Sequence, residues 1–271
     1  MNAIVTPAPA ATVTLVRDGA EGLEVLMMRR NLQSAFVPGK YVFPGGSVDR
    51  ADTDAAVYAC CKGLDDAAAS ERLGIPAHGL AYWIAAIRES FEEAGLLLAC
   101  DDSGRTATQQ QVAALARHRK AVEDGTLPFD ALLREEGLRM ATDALVYFSH
   151  WITPVGAPRR YDTRFFVTRA PNGQEAVSDF GETIESVWVR PRDGVARFEA
   201  GDYKMLTPTI HTLRLFAAHD SADALIETLR AVGKVPAIQP RVARDGRRLM
   251  PGDPGYEEAA EYEGTVEWRQ A

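Results

Sequence analysis

The sequence predicts an α/β fold in which a mixed β-sheet lies between layers of helices. Strand-like and helix-like segments interleave along the 271 residues without strict alternation, which argues against an all-parallel sheet. The composition, with 46% hydrophobic and 25% charged residues, is typical of a globular domain with a sizeable core. The longest apolar stretches are too short to cross a bilayer, so we expect no membrane segment.

The first part of the chain predicts a β-hairpin. ATVTLVRDG and LEVLMMRR are partly alternating apolar runs on either side of a glycine-rich turn at residues 18–22. The N-terminal apolar run lacks the basic segment of a signal peptide, so we interpret residues 10–16 as the first strand. A short apolar segment at 41–43 precedes Pro44-Gly45-Gly46, which ends regular structure and allows a close backbone approach.

The rest of the chain predicts more helices than strands. Residues 53–79 are rich in alanine and predict a helical insertion, and the next helix, at 80–94, ends at Gly95, a residue suited to a helix C-cap. Further helices are predicted at 107–124, 129–137, 208–218 and 222–231. Strands are predicted at 96–98, 144–152, 164–168 and 186–189. We assign the domain to residues 1–235 and an irregular C-terminal extension to 236–271, which is rich in Pro, Gly and charge.

The charge balance restricts the partners of the chain. A net charge of −8 argues against sequence-independent binding of DNA or RNA, which requires a basic surface. A small anionic substrate remains compatible, because a bound divalent cation reverses the local field. Three cysteines without a CxxC pair are typical of free thiols in a reducing compartment, so we expect a cytoplasmic location.

The most informative segment is the helix that contains Glu89, Glu92 and Glu93. At about 100° per residue, the three carboxylates fall on one side of this helix, opposite an apolar side. Crowded carboxylates repel one another, and Mg²⁺ relieves the repulsion because it prefers carboxylate oxygens. Ala85 and Ala86 lie on the same side one turn earlier, where small side chains let the Pro-Gly-Gly loop approach. A merely solvated acidic face is the alternative.

In sequence order, these residues resemble the Nudix box, GX₅EX₇REUXEEXGU, in which U is a bulky aliphatic residue. The matching positions are Gly46, Arg88, Glu89, Glu92, Glu93, Gly95 and Leu96. Asp52 stands where the pattern has its first glutamate, and Ser90 stands at an aliphatic position. Between Asp52 and Arg88 the chain has 35 residues where the pattern has seven, which places an insertion of 28 inside the box.

An interrupted box is similar to that of the Nudix branch containing the peroxisomal coenzyme A diphosphatase and its bacterial relatives. Segments 36–46, 161–166 and 181–191 also look like that branch. The resemblance implies a Nudix-like α/β/α sandwich with a mixed sheet, a helical insertion within the box and additional C-terminal helices. It implies Mg²⁺- or Mn²⁺-dependent pyrophosphatase chemistry on a nucleoside diphosphate linked to another moiety, with coenzyme A or an acyl-coenzyme A as a candidate. The alternatives are an ADP-ribose or nucleotide-sugar diphosphatase and a catalytically silent binding module.

The resemblance also implies roles for the box residues. The expected metal ligands are Glu89, Glu92 and Glu93. We expect Arg88 to bond a carboxylate and fix its rotamer, with a plain surface ion pair as the alternative. A backbone carbonyl of Gly45 or Gly46 is expected to complete the metal shell. The general base is either a box glutamate or a glutamate of a later loop, Glu182 or Glu185, of which we favour Glu182.

Phosphate binding is assigned to arginines, whose guanidinium groups form bidentate hydrogen bonds with phosphates. The candidates are Arg29, Arg30, Arg160 and Arg164. The expected partner is a small nucleotide-type substrate, with neither nucleic acid nor membrane, and a homodimer is left open. The C-terminal extension is interpreted as packing on the domain surface, with a flap or dimer arm that contributes to substrate selection as the alternative.

Overall fold

The computed structural model describes residues 4–33, 38–178, 181, 183–243 and 245–259. Glu182, the loop glutamate favoured as general base, lies outside the described residues. So do residues 36 and 37 of the segment that precedes the Pro-Gly-Gly tripeptide.

The predicted N-terminal hairpin is confirmed. Its strands are β1 (Ala8–Gly19) and β2 (Gly22–Arg30), which pair antiparallel with Val16 opposite Val25. Gly22 has φ +109°, a backbone conformation that favours glycine, and so closes the tight turn. Two short strands follow, β3 (Tyr41–Val42) on β2 and β4 (Gly45–Ser47) on β1. The Pro-Gly-Gly segment is therefore part of the sheet edge.

The insertion within the box is only partly helical. It contains α1 (Ala55–Ala59), the short strand β5 (Cys61–Lys62) and α2 (Asp66–Leu73). The Asp65 side chain accepts a hydrogen bond from the Ala68 N–H and caps α2, and Gly74 ends the helix in the left-handed conformation. The box helix, α3 (Leu80–Ala94), comes next and ends at Gly95 with φ +66°, as predicted.

The strand predicted at residues 96–98 is wrong. These leucines are buried, but the strand that follows α3 is β6 (Ala99–Cys100). The side-chain amide of Gln174 takes the place of a neighbouring strand. It accepts a hydrogen bond from Leu97 N at 2.8 Å and donates one to Leu97 O at 3.2 Å. A distant side chain therefore satisfies the backbone that the local pattern assigned to a sheet.

The remaining elements complete the domain. The helices are α4 (Gln109–Leu115), α5 (Arg119–Glu123) and α6 (Phe129–Glu135). The strands after them are β7 (Arg139–Ala141), β8 (Val146–Ile152), β9 (Tyr161–Arg169) and β10 (Thr183–Val189). Three helices follow, α7 (Pro191–Glu199), which the sequence analysis missed, α8 (Thr207–Phe216) and α9 (Ala222–Arg230). The predicted helix over 107–124 is divided into α4 and α5 by a 3₁₀ turn at Ala116–His118.

The central sheet is mixed and has an apolar layer on each face. Its strands run in the order β10-β2-β1-β9-β8, with β1 parallel to β9 and the other pairs of this path antiparallel. Side chains alternate along β2, so that Leu26 and Met28 pack with α3, and Val25 and Met27 pack with α8 and α9. The predicted α/β/α sandwich with additional C-terminal helices is confirmed.

The C-terminal extension is more ordered than predicted. It contributes β11 (Ala237–Ile238), which pairs parallel with β8, and a hairpin of β12 (Arg241–Val242) and β13 (Arg248–Leu249). Leu249 is buried, and the Tyr256 hydroxyl donates a hydrogen bond to Gln239 O at 2.8 Å. The described part of the extension is thus attached to the sheet. Among the described residues, no helix has the length and apolarity needed to cross a membrane.

Candidate active site

Helix α3 is buried on all sides rather than on one. Within it, every residue except Glu89 is buried, and the Glu89 side chain is only 12% exposed. The helix packs against β1 and β4, and Ala85 and Ala86 are fully buried. The predicted acidic face is therefore turned into the protein, where the charge of each carboxylate must be matched by a partner.

The Pro-Gly-Gly turn lies directly against two of the box glutamates. Gly45 N donates a hydrogen bond to Glu93 Oε2 at 3.0 Å. A Cβ atom on Gly46 would lie 2.4 Å from Glu89 Oε1, so any larger residue at this position would displace that carboxylate. On the other side of the turn, Gly45 and Gly46 pair with β1. The sheet thus fixes the turn, and the turn fixes the positions of Glu89 and Glu93.

Arg88 connects the two halves of the interrupted box. Its Nε and Nη2 atoms donate to the two carboxylate oxygens of Asp52 at 3.2 and 3.1 Å. Nη1 donates to Glu89 Oε1 at 2.9 Å and to Glu92 Oε2 at 3.0 Å. Nη2 also donates to Ser47 O at 2.9 Å, beside the Pro-Gly-Gly turn. With a side chain only 9% exposed, Arg88 is not a surface ion pair.

The structure brings Asp52, which stands where the box pattern has its first glutamate, into contact with Arg88. Asp52 is buried at the end of a 3₁₀ turn, Arg50–Thr53, and its Oδ2 atom also accepts a hydrogen bond from Asp49 N at 2.8 Å. The insertion therefore leaves the contact between Asp52 and Arg88 intact. We call Asp52, Glu89, Glu92 and Glu93 the acidic cluster.

Burial of the acidic cluster disfavours its negative charges. Burial raises the pKa of Glu92 to about 7, against the opposing effect of the Arg88 guanidinium. Burial also raises the pKa of Asp52 and the pKa of Glu89. The negative charge of the neighbouring Glu92 raises the pKa of Glu89 further. For Arg88, burial acts to lower the pKa, but the charges of Asp52 and Glu89 outweigh it and hold the pKa above its usual value. One guanidinium thus faces more negative charge than it balances.

The donor set of the acidic cluster fits a divalent cation. Glu92 Oε1 is buried and has no hydrogen-bond partner among the described residues, so one carboxylate oxygen remains to be satisfied. The described residues do not contain three metal-binding side chains already arranged around a common point. Instead, Arg88 and Gly45 N hold the carboxylates next to one another. A cation here would need further oxygen ligands, which a diphosphate supplies.

The two predicted arginines of β2 lie on different faces of the sheet. Arg30 Nη1 is 3.8 Å from Glu93 Oε1, so Arg30 lies at the acidic cluster. Arg29 Nη1 is 3.9 Å from Glu185 Oε2, and its guanidinium lies 6.0 Å from the ring centre of Tyr41. Glu185 belongs to β10 rather than to a loop, and its carboxylate accepts a hydrogen bond from the Tyr41 hydroxyl at 3.1 Å. This engagement does not favour Glu185 as a general base.

The predicted phosphate-binding arginine Arg164 lies elsewhere. It is buried on β9, separated from Gly46 by β1, since both Arg164 and Gly46 pair with Ala11. Its Nη1 atom donates to Tyr147 Oη and His150 Nδ1, both at 3.0 Å. These contacts favour a structural role for Arg164, because burial keeps its guanidinium from a ligand at the Pro-Gly-Gly turn.

Arg160 is likewise buried and held by backbone groups. Its Nη1 atom donates to Val5 O at 2.8 Å and its Nε atom donates to Thr153 O at 3.1 Å. These contacts tie the start of β9 to the N-terminal segment. They too favour a structural role over phosphate binding.

One positioning residue was missed by the sequence analysis. Arg119 of α5 donates from Nε and Nη2 to Glu92 O at 3.0 and 2.6 Å, and from Nη1 to Val177 O at 2.9 Å. A cation bonded to carbonyls in the last turn of α3 stabilises that end of the helix. Because Arg119 lies 27 residues after Glu92, no local pattern indicates this contact.

The chain is similar to known proteins over most of its length. A family model described as the NUDT19 Nudix domain matches residues 64–215. The chain is 31% identical to the acyl-coenzyme A diphosphatase NUDT19 of Gallus gallus, over 89% of this chain and 75% of that protein. The protein of the same name from Homo sapiens is 26% identical, over 90% of this chain and 75% of that protein.

A solved structure supports the same similarity. The crystal structure of a NUDIX hydrolase from Alicyclobacillus acidocaldarius superimposes with a TM-score of 0.68 and 28% identity, covering 84% of this chain and 98% of that one. The region matched by the family model includes all of α3 but begins after the Pro-Gly-Gly turn and Asp52. The contacts of Arg88 join those earlier residues to the matched region.

Proposed function

We propose that this chain, which belongs to the Nudix hydrolase family in its NUDT19 branch, hydrolyses the phosphoanhydride bond of coenzyme A or an acyl-coenzyme A with the help of Mg²⁺ or Mn²⁺. The observation that carries the proposal is the reassembled box. Asp52 and Arg88, separated by the insertion, form a bidentate pair, and Arg88 also bonds Glu89, which lies against the Pro-Gly-Gly turn, and Glu92. Similarity to acyl-coenzyme A diphosphatases supports the substrate.

The reaction places one water oxygen on one phosphorus atom and breaks the bond between that phosphorus and the bridging oxygen. From coenzyme A it yields 4′-phosphopantetheine and adenosine 3′,5′-bisphosphate. A divalent cation held by Glu89, Glu92 and Glu93 would neutralise charge on the diphosphate oxygens and on the departing phosphate. The proton of the attacking water goes to a glutamate, either one of the box or Glu182.

The residues of the chain contribute positioning and charge. The Gly45 N–H fixes one oxygen of Glu93, and the missing side chain of Gly46 leaves room for the Glu89 carboxylate. Arg30, close to Glu93, provides a positive charge for a diphosphate oxygen. Arg88 is fully engaged with carboxylates and with Ser47 O, so its role is to position the acidic cluster rather than to bind substrate. The geometry is therefore that of a prearranged electrostatic site.

The proposal is tested by replacing Glu93 with Gln and measuring release of 4′-phosphopantetheine from coenzyme A in Mg²⁺ and in Mn²⁺. We expect kcat/KM to fall at least about 100-fold, because the substitution removes a charged ligand oxygen. Glu227→Gln, at an exposed position on α9, is the matched control and should retain wild-type turnover. A panel of an acyl-coenzyme A, ADP-ribose, NADH and a dinucleoside polyphosphate identifies the preferred substrate.

Three results would overturn the proposal. Unchanged turnover in Glu93→Gln would remove the role of the acidic cluster. A wild-type protein that cleaves ADP-ribose but not coenzyme A would move the substrate to the alternative class, and one that binds nucleotides without cleaving any would indicate a binding module. A cytoplasmic location and a homodimer stay predictions, to be checked by fractionation and by light scattering.

A further inference from the structure

The last turn of α3 carries Glu92 and Glu93 and ends among carbonyl groups that the helix itself does not satisfy. The final four carbonyls of an α-helix have no partner within the helix, so other groups must bond them where they are buried. Residues from distant segments bond two of these carbonyls. Glu92 O accepts two hydrogen bonds from Arg119, at 3.0 and 2.6 Å, and Ala94 O accepts one from Val177 N at 2.8 Å. The end of α3 is therefore held from outside the helix.

Arg119 joins this helix end to a second segment, which consists of residues 174–178. The third donor of its guanidinium, Nη1, bonds Val177 O at 2.9 Å. Val177 thus contacts the end of α3 twice, through its own N–H to Ala94 O and through Arg119 to Glu92 O. Because a guanidinium is planar and rigid, it fixes the distance between the two carbonyls that it bonds.

The 174–178 segment is fixed to the sheet at its other end. The hydroxyl groups of Ser178 and Ser186, a residue of β10, share a hydrogen bond of 2.7 Å. Thr183, the first residue of β10, pairs with Arg30 of β2. The Arg30 side chain in turn lies 3.8 Å from the acidic cluster. The segment that Arg119 bonds therefore leads back to the site.

These contacts form a closed ring beside the acidic cluster. The ring runs from Glu92 through Arg119 and the 174–178 segment to β10, and Arg30 closes it at Glu93. Arg119 therefore links the helix that supplies the carboxylates to the strand that pairs with Arg30. Loss of this link would let the last turn of α3 open locally, and a misplacement of about 1 Å is enough to slow a reaction about 100-fold.

The backbone and the side chain of Glu92 are held by different arginines. Arg88 Nη1 bonds the carboxylate oxygen Oε2 at 3.0 Å, while Arg119 bonds the backbone carbonyl. The other carboxylate oxygen, Oε1, has no hydrogen-bond partner among the described residues. This oxygen can be presented to a cation only if the backbone that carries it is fixed, and the contacts of Arg119 fix that backbone.

We infer that Arg119 is a positioning residue for the proposed reaction, which holds the last turn of α3 so that Glu92 and Glu93 are placed for a divalent cation and the diphosphate. The inference rests on the proposed function and adds to it a residue from outside the box. Because Arg119 bonds a backbone carbonyl of α3, it acts through the glutamates rather than on the substrate. Its removal should therefore lower kcat and leave KM nearly unchanged.

Steady-state kinetics with coenzyme A and Mn²⁺ test this role in Arg119→Met. We expect kcat to fall at least about tenfold, KM to change less than about threefold, and the Mn²⁺ concentration for half-maximal rate to rise at least about tenfold. Arg139→Met is the matched control, since Arg139 is also half-buried and bonds Cys61 O, a backbone carbonyl of the insertion, at 2.6 Å. It should keep the wild-type kcat and Mn²⁺ requirement. Equal losses in both variants, or a rise in KM alone in Arg119→Met, would overturn the inference.

Arg119→Lys separates geometry from charge, and it serves as the second variant if Arg119→Met does not fold. A lysine keeps a positive charge near the end of α3 but lacks the planar fork that bonds two carbonyls in a fixed arrangement. We expect its kcat to stay at least about threefold below that of the wild type. Full recovery of kcat and of the Mn²⁺ requirement in Arg119→Lys would overturn the inference, because charge alone would then be sufficient.

Amide hydrogen exchange gives a readout that does not depend on catalysis. The N–H groups of Gly95, Leu96 and Val177 bond carbonyls near the end of α3, so they should exchange at least about tenfold faster in Arg119→Met. Arg139→Met should leave their exchange unchanged. Unchanged exchange in Arg119→Met, or faster exchange with the wild-type kcat, would overturn the inference.

Mn²⁺ binding separates this inference from the proposed function. If the wild type cleaves neither coenzyme A nor the other diphosphates, the proposed function fails. Binding of Mn²⁺ together with ADP, followed by electron paramagnetic resonance, then decides the inference. Arg119→Met should weaken this binding at least about tenfold, and Arg139→Met should not. Equal binding by all three proteins, or its absence in the wild type, would overturn the inference.

Discussion

Two buried arginines, Arg88 in α3 and Arg164 on β9, differ in how their charge is balanced. Arg88 bonds the carboxylates of Asp52, Glu89 and Glu92, and one oxygen of Glu92 is left without a partner among the described residues. Arg164 bonds the neutral Tyr147 and His150, and its Nε atom is 3.5 Å from one carboxylate, that of Asp162. The guanidinium of Arg164 also lies 5.8 Å from the ring centre of Tyr82 in α3.

The comparison separates a structural network from a functional one. Because a guanidinium only donates, His150 Nδ1 must accept from Arg164, and Nε2–H is left to donate to Asp162. This network has one positive and one negative charge, so its charges balance, although Arg164 Nε has no hydrogen-bond partner among the described residues. The acidic cluster holds more negative charge than Arg88 balances, and such an excess in a buried place is typical of a site that receives a cation.

The largest effect is expected on the free energy of unfolding when each of the two arginines is replaced by methionine. Arg88→Met leaves buried carboxylates without a countercharge, and we expect the free energy of unfolding to fall by about 3–5 kcal/mol. Arg164→Met leaves one carboxylate that His150 still bonds, so the expected loss is about 1–3 kcal/mol. Urea unfolding at pH 7 measures both. Equal losses, or a larger one at Arg164, would break the distinction between the two networks.

A substitution at the Pro-Gly-Gly turn should affect activity far more than stability. In Gly46→Ala the new Cβ displaces the Glu89 carboxylate, which is the movable end of a side chain. We expect kcat to fall up to about 100-fold, because small misplacements of catalytic groups are costly, and Tm to change little. Gly233→Ala, where nothing lies within 4 Å of the new Cβ, is the matched control. A Gly46→Ala protein with normal turnover would show that Glu89 need not lie against the turn.

The smallest effect on stability is expected when the negative charge of Asp162 is removed. Burial acts to raise the pKa of Asp162, but the hydrogen bond with His150 outweighs burial and holds the pKa below its usual value. The nearby charge of Arg164 lowers the pKa further. The carboxylate therefore stabilises the fold above pH 3.8, and this contribution is lost as the pH falls below that value. We expect Asp162→Asn to be less stable than wild type at pH 6, with a difference that shrinks towards pH 3. Asp202→Asn, at an exposed site, is the control and should show no such pH trend in urea unfolding. If Asp162→Asn were less stable than wild type by the same amount at pH 6 and pH 3, the carboxylate of Asp162 would not stabilise the fold through its charge.

The local patterns of the sequence predicted the parts of the molecule that depend on local chemistry. Helix α3 and its cap at Gly95 follow from hydrophobic spacing and a glycine, and the hairpin of β1 and β2 follows from alternation around a turn. The resemblance to an interrupted box placed Asp52 at the first acidic position and led us to expect that Arg88 bonds a carboxylate. That this carboxylate includes Asp52 is shown only by the structure, since the insertion hides the contact from any local pattern.

The features that were missed depend on contacts between distant segments. Residues 96–98 are as apolar as those of a buried strand. The Gln174 side chain, however, makes the hydrogen bonds with the Leu97 backbone that a neighbouring strand would make. Arg164 has the chemistry of a phosphate-binding residue, and only its place on β9 shows that its bonds go to Tyr147 and His150. Residue type indicates what a side chain is able to bind, while the neighbours across the sheet decide what it does bind.

The most direct measurement of the central claim is anomalous diffraction from crystals soaked with Mn²⁺ and a non-hydrolysable coenzyme A analogue. We predict a manganese peak between the carboxylates of Glu89, Glu92 and Glu93, beside Gly45 and Gly46, with diphosphate oxygens completing its shell. Manganese and diphosphate bound together at another place, with the acidic cluster unchanged around Arg88, would contradict the account.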